Sequence, residues 1–203
     1  MKTKRFASLL LTLIATLLVG GTAGHATSIT ANITTDDAFD LYVSTNDSVA
    51  GTYVGSGAGW NTTFTYNFNL TSNVTNYIHV YGYDIGQYIA SFIGDFNLSD
   101  TSFKFANGSQ YLVTDTANWQ VYSGGFGGTP GVVTSQGANG VGPWFPLPSI
   151  GSNAEWIWTH NGAWTDSPRY FSTAVNPVVP VPSTALLLGP ALVALGLWRR
   201  KSH

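Results

Sequence analysis

The sequence predicts an all-β domain, an antiparallel β-sandwich or jelly roll, between two apolar targeting segments. Apolar and polar residues alternate with a period of two in several central segments, which is typical of strands with one buried face. Turns rich in Gly and Asn separate these segments at short intervals, as in sandwich folds. No helical period occurs between the two ends. The central part, residues 27–174, is about the size of one domain.

The N-terminus has the three-part pattern of a signal peptide. Three basic residues lie within the first five positions, and an apolar run follows up to Val19. Small residues then lead to Ala26, after which cleavage is predicted, with Ala23 as the second choice. Residues 1–26 are therefore predicted to be a signal helix that directs export through a Sec-type route.

The strand pattern is clearest in residues 61–70, where Phe64, Tyr66, Phe68 and Leu70 share one face and polar residues the other. Residues 39–43 repeat the alternation, with Asp40 and Tyr42 opposite the apolar positions. Residues 88–96 are apolar on both faces, as in a central strand. Further strands are predicted at 77–83, 111–114, 119–122, 155–158 and 169–173, and turns at 46–47, 55–59 and 124–142.

The C-terminus combines a Pro-rich segment, an apolar run and a basic end. The linker 175–182 leads into a short motif formed by Val179, Pro180, Val181, Pro182 and Ser183. The apolar run 183–198 would form a helix of about 24 Å, close to the shortest length that spans a bilayer core. The tail 199–203 contains Arg199, Arg200 and Lys201. A transmembrane helix with a cytoplasmic basic stop is predicted.

This tail resembles the PEP-CTERM sorting signal of Gram-negative bacteria. The resemblance rests on the Pro-x-Pro motif, the hydrophobic helix and the terminal basic cluster; Val181 stands where the usual motif has glutamate. It implies processing by an exosortase in an organism that makes exopolysaccharide. The chain would be anchored transiently in the inner membrane and would then reach the cell surface, the outer envelope or the extracellular matrix.

The charge of the exported part excludes one class of partner. Between residues 27 and 178 only Lys104 and Arg169 are basic, against ten acidic residues, a formal charge of −8. Such a surface cannot hold phosphate backbones, so nucleic acid is not a partner. The chain has no cysteine, which excludes disulfides, thiol nucleophiles and zinc–thiolate sites.

Several central segments resemble galactose-binding-like β-sandwiches. The opening hairpin of such domains is similar to residues 35–43, followed by 54–57 and Trp60. Their closing strands are similar to residues 142–144, 154–158 and 169–171. The resemblance implies sugar binding, often with a structural calcium ion. Because a fold hosts many functions, the implied activity has to be argued from the site.

Tryptophan and tyrosine side chains are the candidate sugar contacts, because the apolar faces of sugars pack on aromatic rings. Trp60 and Trp164 lie in loop sequences and are the candidates for exposed rings. Trp156 and Trp158 are predicted to share one strand face. For each tryptophan the alternative is a place in the core, and the balance favours the core.

A stripe of rings along one predicted strand is a second candidate surface. Tyr77, His79, Tyr81 and Tyr83 alternate with Ile78 and Val80. If solvent reaches this face, it is a stacking platform. If a second sheet covers it, it belongs to the core, and the apolar strand that follows favours the core.

Three aspartates near the first predicted strand are the candidate metal ligands. Asp36, Asp37 and Asp40 could supply the carboxylate oxygens that calcium prefers. The alternative, which the absence of a calcium-loop motif favours, is that they shape turns.

The sequence predicts no enzyme. It contains none of the serine-hydrolase, metalloprotease, dinucleotide or P-loop motifs. Glu155 with Asp166 is the one carboxylate pair that suggests glycoside hydrolysis. Two hypotheses stay open: a carbohydrate-binding module for exopolysaccharide or an environmental glycan, or a structural component of the envelope or biofilm matrix without a specific ligand.

Overall fold

The computed structural model describes residues 26–86, 88–159 and 167–178. Most of the predicted signal peptide, the sorting motif, the predicted membrane helix and the basic tail lie outside these residues, as does Trp164. Within the described ranges, no helix is long and apolar enough to cross a membrane. These residues form strands joined by turns and loops.

The strands form two antiparallel sheets, which confirms the prediction of an all-β sandwich. In chain order the strands are β1 (Ser28–Asp36), β2 (Ala38–Ser44), β3 (Thr52–Ala58), β4 (Phe64–Asn69), β5 (Asn76–Tyr83), β6 (Ser91–Leu98), β7 (Phe103–Phe105), β8 (Tyr111–Val113), β9 (Gln120–Ser123), β10 (Thr129–Pro130), β11 (Val133–Ala138), β12 (Glu155–Thr159) and β13 (Arg169–Pro177). The six-stranded sheet has the order β11-β12-β6-β1-β4, with β8 also on β6. The seven-stranded sheet has the order β10-β9-β13-β5-β2-β3, with β7 also on β13.

The strands with the clearest alternation have the predicted faces. Along β4 the apolar residues are half-buried, and the intervening Thr65, Asn67 and Asn69 are exposed. Strand β6 lies between β1 and β12 and is buried on both faces from Ser91 to Phe96, as predicted for a central strand. It begins at Ser91, three residues later than expected.

Three strands occupy segments that were predicted as turns. Strands β10 and β11 lie inside the Gly-rich stretch 124–142, and β3 includes Gly55 and Gly57. A methyl group at Gly55 would overlap the ring of Tyr66, and one at Gly57 would overlap Phe64. Glycine is therefore needed in β3 because two rings of the opposite sheet lie directly against its backbone.

The main core fills the space between the sheets. Phe92 of one sheet packs against Phe171 of the other, with ring centroids 5.3 Å apart. Trp158 contacts the same Phe171 ring at 5.2 Å. All three side chains are essentially inaccessible to solvent. Together with Phe39 and Leu41 they anchor the two sheets to each other.

A second, smaller core lies on the other side of the six-stranded sheet. Ile93, which alternates with Phe92 along β6, packs there with Trp156 and Trp144. The two indole rings are stacked with centroids 4.5 Å apart. Residues 144–150 thus cover part of this sheet and bury the Trp156 side chain.

Candidate functional site

The outward face of the seven-stranded sheet brings together aromatic side chains from three strands. Tyr81 of β5 pairs with Asp40 of β2 on one side and with Tyr170 of β13 on the other. Paired residues in neighbouring strands project from the same side of a sheet. Phe39, Leu41 and their neighbours point into the core, so Asp40, Tyr81 and Tyr170 point outward. We call this surface the aromatic face.

Three tyrosine rings form the centre of the aromatic face. Tyr81 lies 5.0 Å from Tyr170 and 5.3 Å from Tyr83, measured between ring centroids, with interplanar angles of 40° and 36°. All three side chains are half-buried, so part of each ring is accessible to solvent. Burial, with smaller contributions from Tyr170, Tyr83 and Asp40, raises the pKa of the Tyr81 hydroxyl.

The preferred prediction for the Tyr77/His79/Tyr81/Tyr83 stripe, a place in the core, is therefore wrong. The second sheet packs on the opposite side of β5, where Ile78 and Val80 are completely buried. The stripe instead faces outward, and only His79 is inaccessible to solvent. The alternation had correctly separated the two faces of β5, but the sequence could not show which one the second sheet covers.

A cavity of about 490 Å³ opens on the aromatic face. Its walls include the rings of Tyr42, Tyr81, Phe126 and Tyr170, and the carboxylate of Asp40. The Tyr42 hydroxyl donates a long hydrogen bond of 3.5 Å to Asp40 Oδ2. Rings and a carboxylate thus line one concave space, which gives a ligand both apolar contact and a hydrogen-bond acceptor.

His79 and Asp47 anchor the segments that border this cavity. His79 Nδ1 lies 3.3 Å from the carbonyl oxygen of Ala50, and Nε2 lies 3.2 Å from Asp47 Oδ1. Asp47 also accepts hydrogen bonds from the hydroxyls of Ser172 and Tyr122. Burial alone would raise the Asp47 pKa, but these hydrogen bonds outweigh it and lower the pKa. The carboxylate therefore holds the turn after β2 onto β13 and β9.

A Gly-rich loop completes the site. Residues 124–128 place Phe126 on the sheet, where its ring stacks on His79 and meets Tyr170 edge-on at 5.1 Å. Gly127 has φ +65°, and a methyl group there would overlap Ser48. The loop therefore requires glycine at this position to pack against the turn after β2.

A second cavity, of about 420 Å³, includes Tyr77 and Ser172 of the same outward face and extends to the segment before β9. Its lining includes Tyr77, Asn118, Gln120, Ser172 and Asp47. The amides of Asn118 and Gln120 can donate to and accept from sugar hydroxyl groups. The aromatic face thus has an aromatic part and a polar part.

Neither described basic residue lines these cavities. Arg169 precedes Tyr170 on β13 and so projects to the opposite side of the strand, where its guanidinium donates to the Pro168 carbonyl oxygen at 2.9 Å. Lys104 is on β7 and pairs with Asn176 near the end of β13. The charged side chains lining the two cavities are the carboxylates of Asp40 and Asp47.

Two of the four tryptophan candidates are core residues. Trp158 packs between the sheets and Trp156 in the smaller core, so neither can stack on a ligand without unfolding its surroundings. They also belong to different clusters, contrary to the expected shared face. The pairing of β11 with β12 shifts register between Ser135 and Gly137, opposite Trp156, with the extra residue on β11.

Trp60 is half-buried and lies outside the aromatic face. Its ring packs at 5.8 Å from Phe145, a strongly exposed side chain, at the border of the smaller core. The fourth candidate, Trp164, lies outside the described residues.

The three candidate calcium ligands do not form one ligand set. Asp36 is buried and accepts a hydrogen bond of 2.9 Å from Trp144 Nε1. Asp37 accepts from the backbone amides of Ile85 and Gly86 at 2.8 and 2.9 Å. Asp40 projects from the aromatic face instead. Among the residues that the structure describes, no group of three or more His, Cys, Asp or Glu side chains is arranged to hold a metal ion.

Asp36 and Asp37 have opposite electrostatic environments. Burial, together with the neighbouring charges of Asp37 and Asp84, raises the Asp36 pKa to about 7, although the Trp144 hydrogen bond acts to lower it. Burial also acts to raise the Asp37 pKa, but hydrogen bonds from Gly86, Asp36 and Ile85 outweigh it and lower that pKa. Asp36 thus holds a proton in the folded protein more readily than an ordinary carboxyl group.

The sequence placed some members of the aromatic face and missed others. Alternation put Asp40 and Tyr42 opposite the apolar positions of β2, and singled out Tyr81 and Tyr83. It did not connect them with Tyr170 or with Phe126. The proposed carboxylate pair also stays separate from this face: Glu155 is on β12 of the other sheet, and Asp166 lies outside the described residues.

Comparisons with protein-family models, with curated proteins and with solved structures each give no match to this chain.

Proposed function

We propose that this chain is an exported, non-catalytic surface protein whose β-sandwich binds polysaccharide on its aromatic face. One observation carries the proposal: Tyr81, Tyr83 and Tyr170 present a continuous set of half-exposed rings beside a cavity that contains the Asp40 carboxylate. Aromatic rings that stay partly exposed on a folded sheet do not complete a core. They provide rigid area for a ligand at a low cost in conformational entropy.

The chemistry of the two cavities suits a chain of sugars. Sugar rings have apolar C–H faces, which pack on tyrosine and phenylalanine rings. Their hydroxyl groups need hydrogen-bond partners, which the amides of Asn118 and Gln120 offer in the second cavity. Because both cavities include residues of β5 or β13 on the same outward face, a polymer could contact them with different sugar units.

The two ends of the sequence supply the proposed route to the surface. The signal peptide ending at Ala26 starts Sec-type export, and the tail from Val179 to Lys201 resembles an exosortase substrate. The chain would be held in the inner membrane before processing and then released to the cell surface or the extracellular matrix. Exopolysaccharide of the same cell or a glycan of its surroundings would be the ligand there.

Affinity electrophoresis tests the proposal. The purified full chain is run through gels that contain neutral, anionic or amine-bearing polysaccharides, with and without calcium. Retardation by at least one polysaccharide is expected. If a folded protein migrates unchanged in every gel, the binding function is wrong. The alternative, an inert structural component of the envelope or matrix, would then be the better account.

A further inference from the structure

The cavity of the aromatic face combines two features that together suit a positively charged group. The rings of Tyr42, Tyr81, Phe126 and Tyr170 line it, and Asp40 contributes a carboxylate. The face of an aromatic ring carries a partial negative charge, so a cation between several rings is attracted to all of them. Quaternary and methylated ammonium groups are recognised in such aromatic cages.

The orientation of the rings supports a cage rather than a flat platform. Phe126 and Tyr170 meet at an interplanar angle of 81°, and Tyr42 and Phe126 at 70°. These rings therefore form walls at steep angles to each other around the cavity. Tyr81 and Tyr170, inclined by 40°, continue the wall along the sheet.

The charge around the cavity also favours a cation. Asp40 has the long hydrogen bond from Tyr42 described above, and among the residues that the structure describes no lysine or arginine lines the cavity. Asp40 acts on two of the cage tyrosines, because its charge contributes to the raised pKa values of Tyr42 and Tyr81, after the larger effect of burial. An anionic sugar such as a uronate would meet this carboxylate and be repelled.

We propose that this cavity binds an ammonium group, and that the polysaccharide bound by the aromatic face therefore contains amino sugars with free amines. The assignment to amino sugars rests on the proposed polysaccharide-binding function, whereas the ammonium site itself does not. The amine would lie in the cavity that the four rings line and donate hydrogen bonds to Asp40 Oδ1 or Oδ2. The rest of the sugar chain would extend over Tyr83 or toward the neighbouring polar cavity.

The test compares two oligosaccharides that differ only in their amines. A β-1,4-linked glucosamine oligomer and its fully N-acetylated form are titrated into the full chain in mildly acidic buffer, where the free amines are protonated. We expect the free-amine oligomer to bind about tenfold more tightly. Asp40→Asn should remove this preference, so that the variant binds the two oligomers with equal affinity.

A charge-matched control separates the cage from the acidity of the whole chain. Glu155→Gln removes one carboxylate from the other sheet and should keep the tenfold preference. If Asp40→Asn and Glu155→Gln lower the affinity for the free-amine oligomer equally, the attraction is general and the ammonium site is wrong. Thermal unfolding of both variants checks that each one folds.

The outcomes also distinguish the ammonium site from the proposal that the aromatic face binds polysaccharide. Equal affinity for both oligomers, or binding of neutral glycans alone, would overturn the ammonium site and leave polysaccharide binding intact. If no polysaccharide binds, a titration with tetramethylammonium chloride shows whether the cage exists without a sugar function. Binding of that ion with sensitivity to Asp40→Asn would keep the ammonium site but overturn its assignment to amino sugars.

Discussion

The ring of Phe126 lies flat on the imidazole of His79, with centroids 4.1 Å apart and planes inclined by 10°. His79 projects from the outward face of β5, yet it is completely inaccessible to solvent. A ring from a Gly-rich loop thus covers a polar side chain that the second sheet does not reach. The loop 124–128 is therefore a structural part of the aromatic face.

Removal of the Phe126 ring should weaken both the fold and the ligand site. Phe126→Ala is expected to lower the free energy of unfolding by about 2 kcal/mol, since the ring is only half-buried. Affinity for polysaccharide should fall as well, because one wall of the cavity is lost. Phe126→Tyr, which keeps the stacked ring, is the control and should stay near wild type in denaturant unfolding. An alanine variant as stable as the tyrosine variant would contradict the packing argument.

Asp47 should contribute stability that depends on pH. Its pKa is lowered in the folded protein by hydrogen bonds from Ser172, His79 and Tyr122, which outweigh burial. The contribution is therefore fully present above the ordinary value of 3.8 and is lost as the pH falls through the lowered pKa. Asp47→Asn should cost about 2 kcal/mol at neutral pH and less in acid. Urea unfolding of the wild type and of Asp47→Asn across this pH range measures the difference in unfolding free energy. A difference that stays constant with pH would refute the predicted role of Asp47.

Asp36 should have the opposite pH dependence. Its pKa is raised to about 7, mainly by burial, so the folded state binds the proton more tightly than the unfolded chain. The resulting stability is complete below pH 3.8 and disappears as the pH rises to about 7. Over this window the loss is at most about 1.4 kcal/mol for each pH unit.

Asp36→Asn tests this directly. The amide still accepts the Trp144 hydrogen bond and carries no charge, so the variant should lose the decline in melting temperature between mildly acidic and neutral pH. Glu155→Gln, on the other sheet, should keep the decline. The contrary result is a wild-type melting temperature that rises steadily to pH 7, with the same pH dependence in the variant. It would show that Asp36 has an ordinary carboxyl group.

Core tryptophans and surface tyrosines should respond differently to truncation. Trp158→Ala leaves a large cavity between the sheets and should cost about 4 kcal/mol of unfolding free energy. Tyr170→Ala removes a half-exposed ring and should cost about 1 kcal/mol. Chemical denaturation measures both. Equal costs would mean that Tyr170 belongs to the core and not to a binding face.

The period of two was enough to separate the two faces of β4 and of β5, although it did not show which face of β5 the second sheet covers. Ile78 and Val80 are buried as expected, because alternation is a local property of an extended chain. The same pattern in β1, where Ile29, Ala31 and Ile33 are buried, was also present in the sequence but was not recognised as a strand. These faces follow from neighbouring residues alone.

The composition of the aromatic face could not be predicted in the same way. Tyr81 meets Tyr170 through the pairing of β5 with β13, two strands that are distant in sequence. Register of this kind depends on long-range packing, and a shift of one residue would turn Tyr170 inward. Phe126 lies in a loop without periodicity, so no local signal indicated that its ring packs on His79. The burial of Trp156 under Trp144 likewise depends on a long-range contact.

The most direct test of polysaccharide binding on the aromatic face compares two exposed rings. Tyr81→Ala removes the central ring of this face, and Phe145→Ala removes a strongly exposed ring beside Trp60, away from the site. Dissociation constants are measured by calorimetry for a polysaccharide that retards the wild-type chain. We expect Tyr81→Ala to weaken binding by about 2 kcal/mol, roughly 30-fold, and Phe145→Ala to have no effect. Unchanged binding by a folded Tyr81→Ala variant would contradict the proposed site.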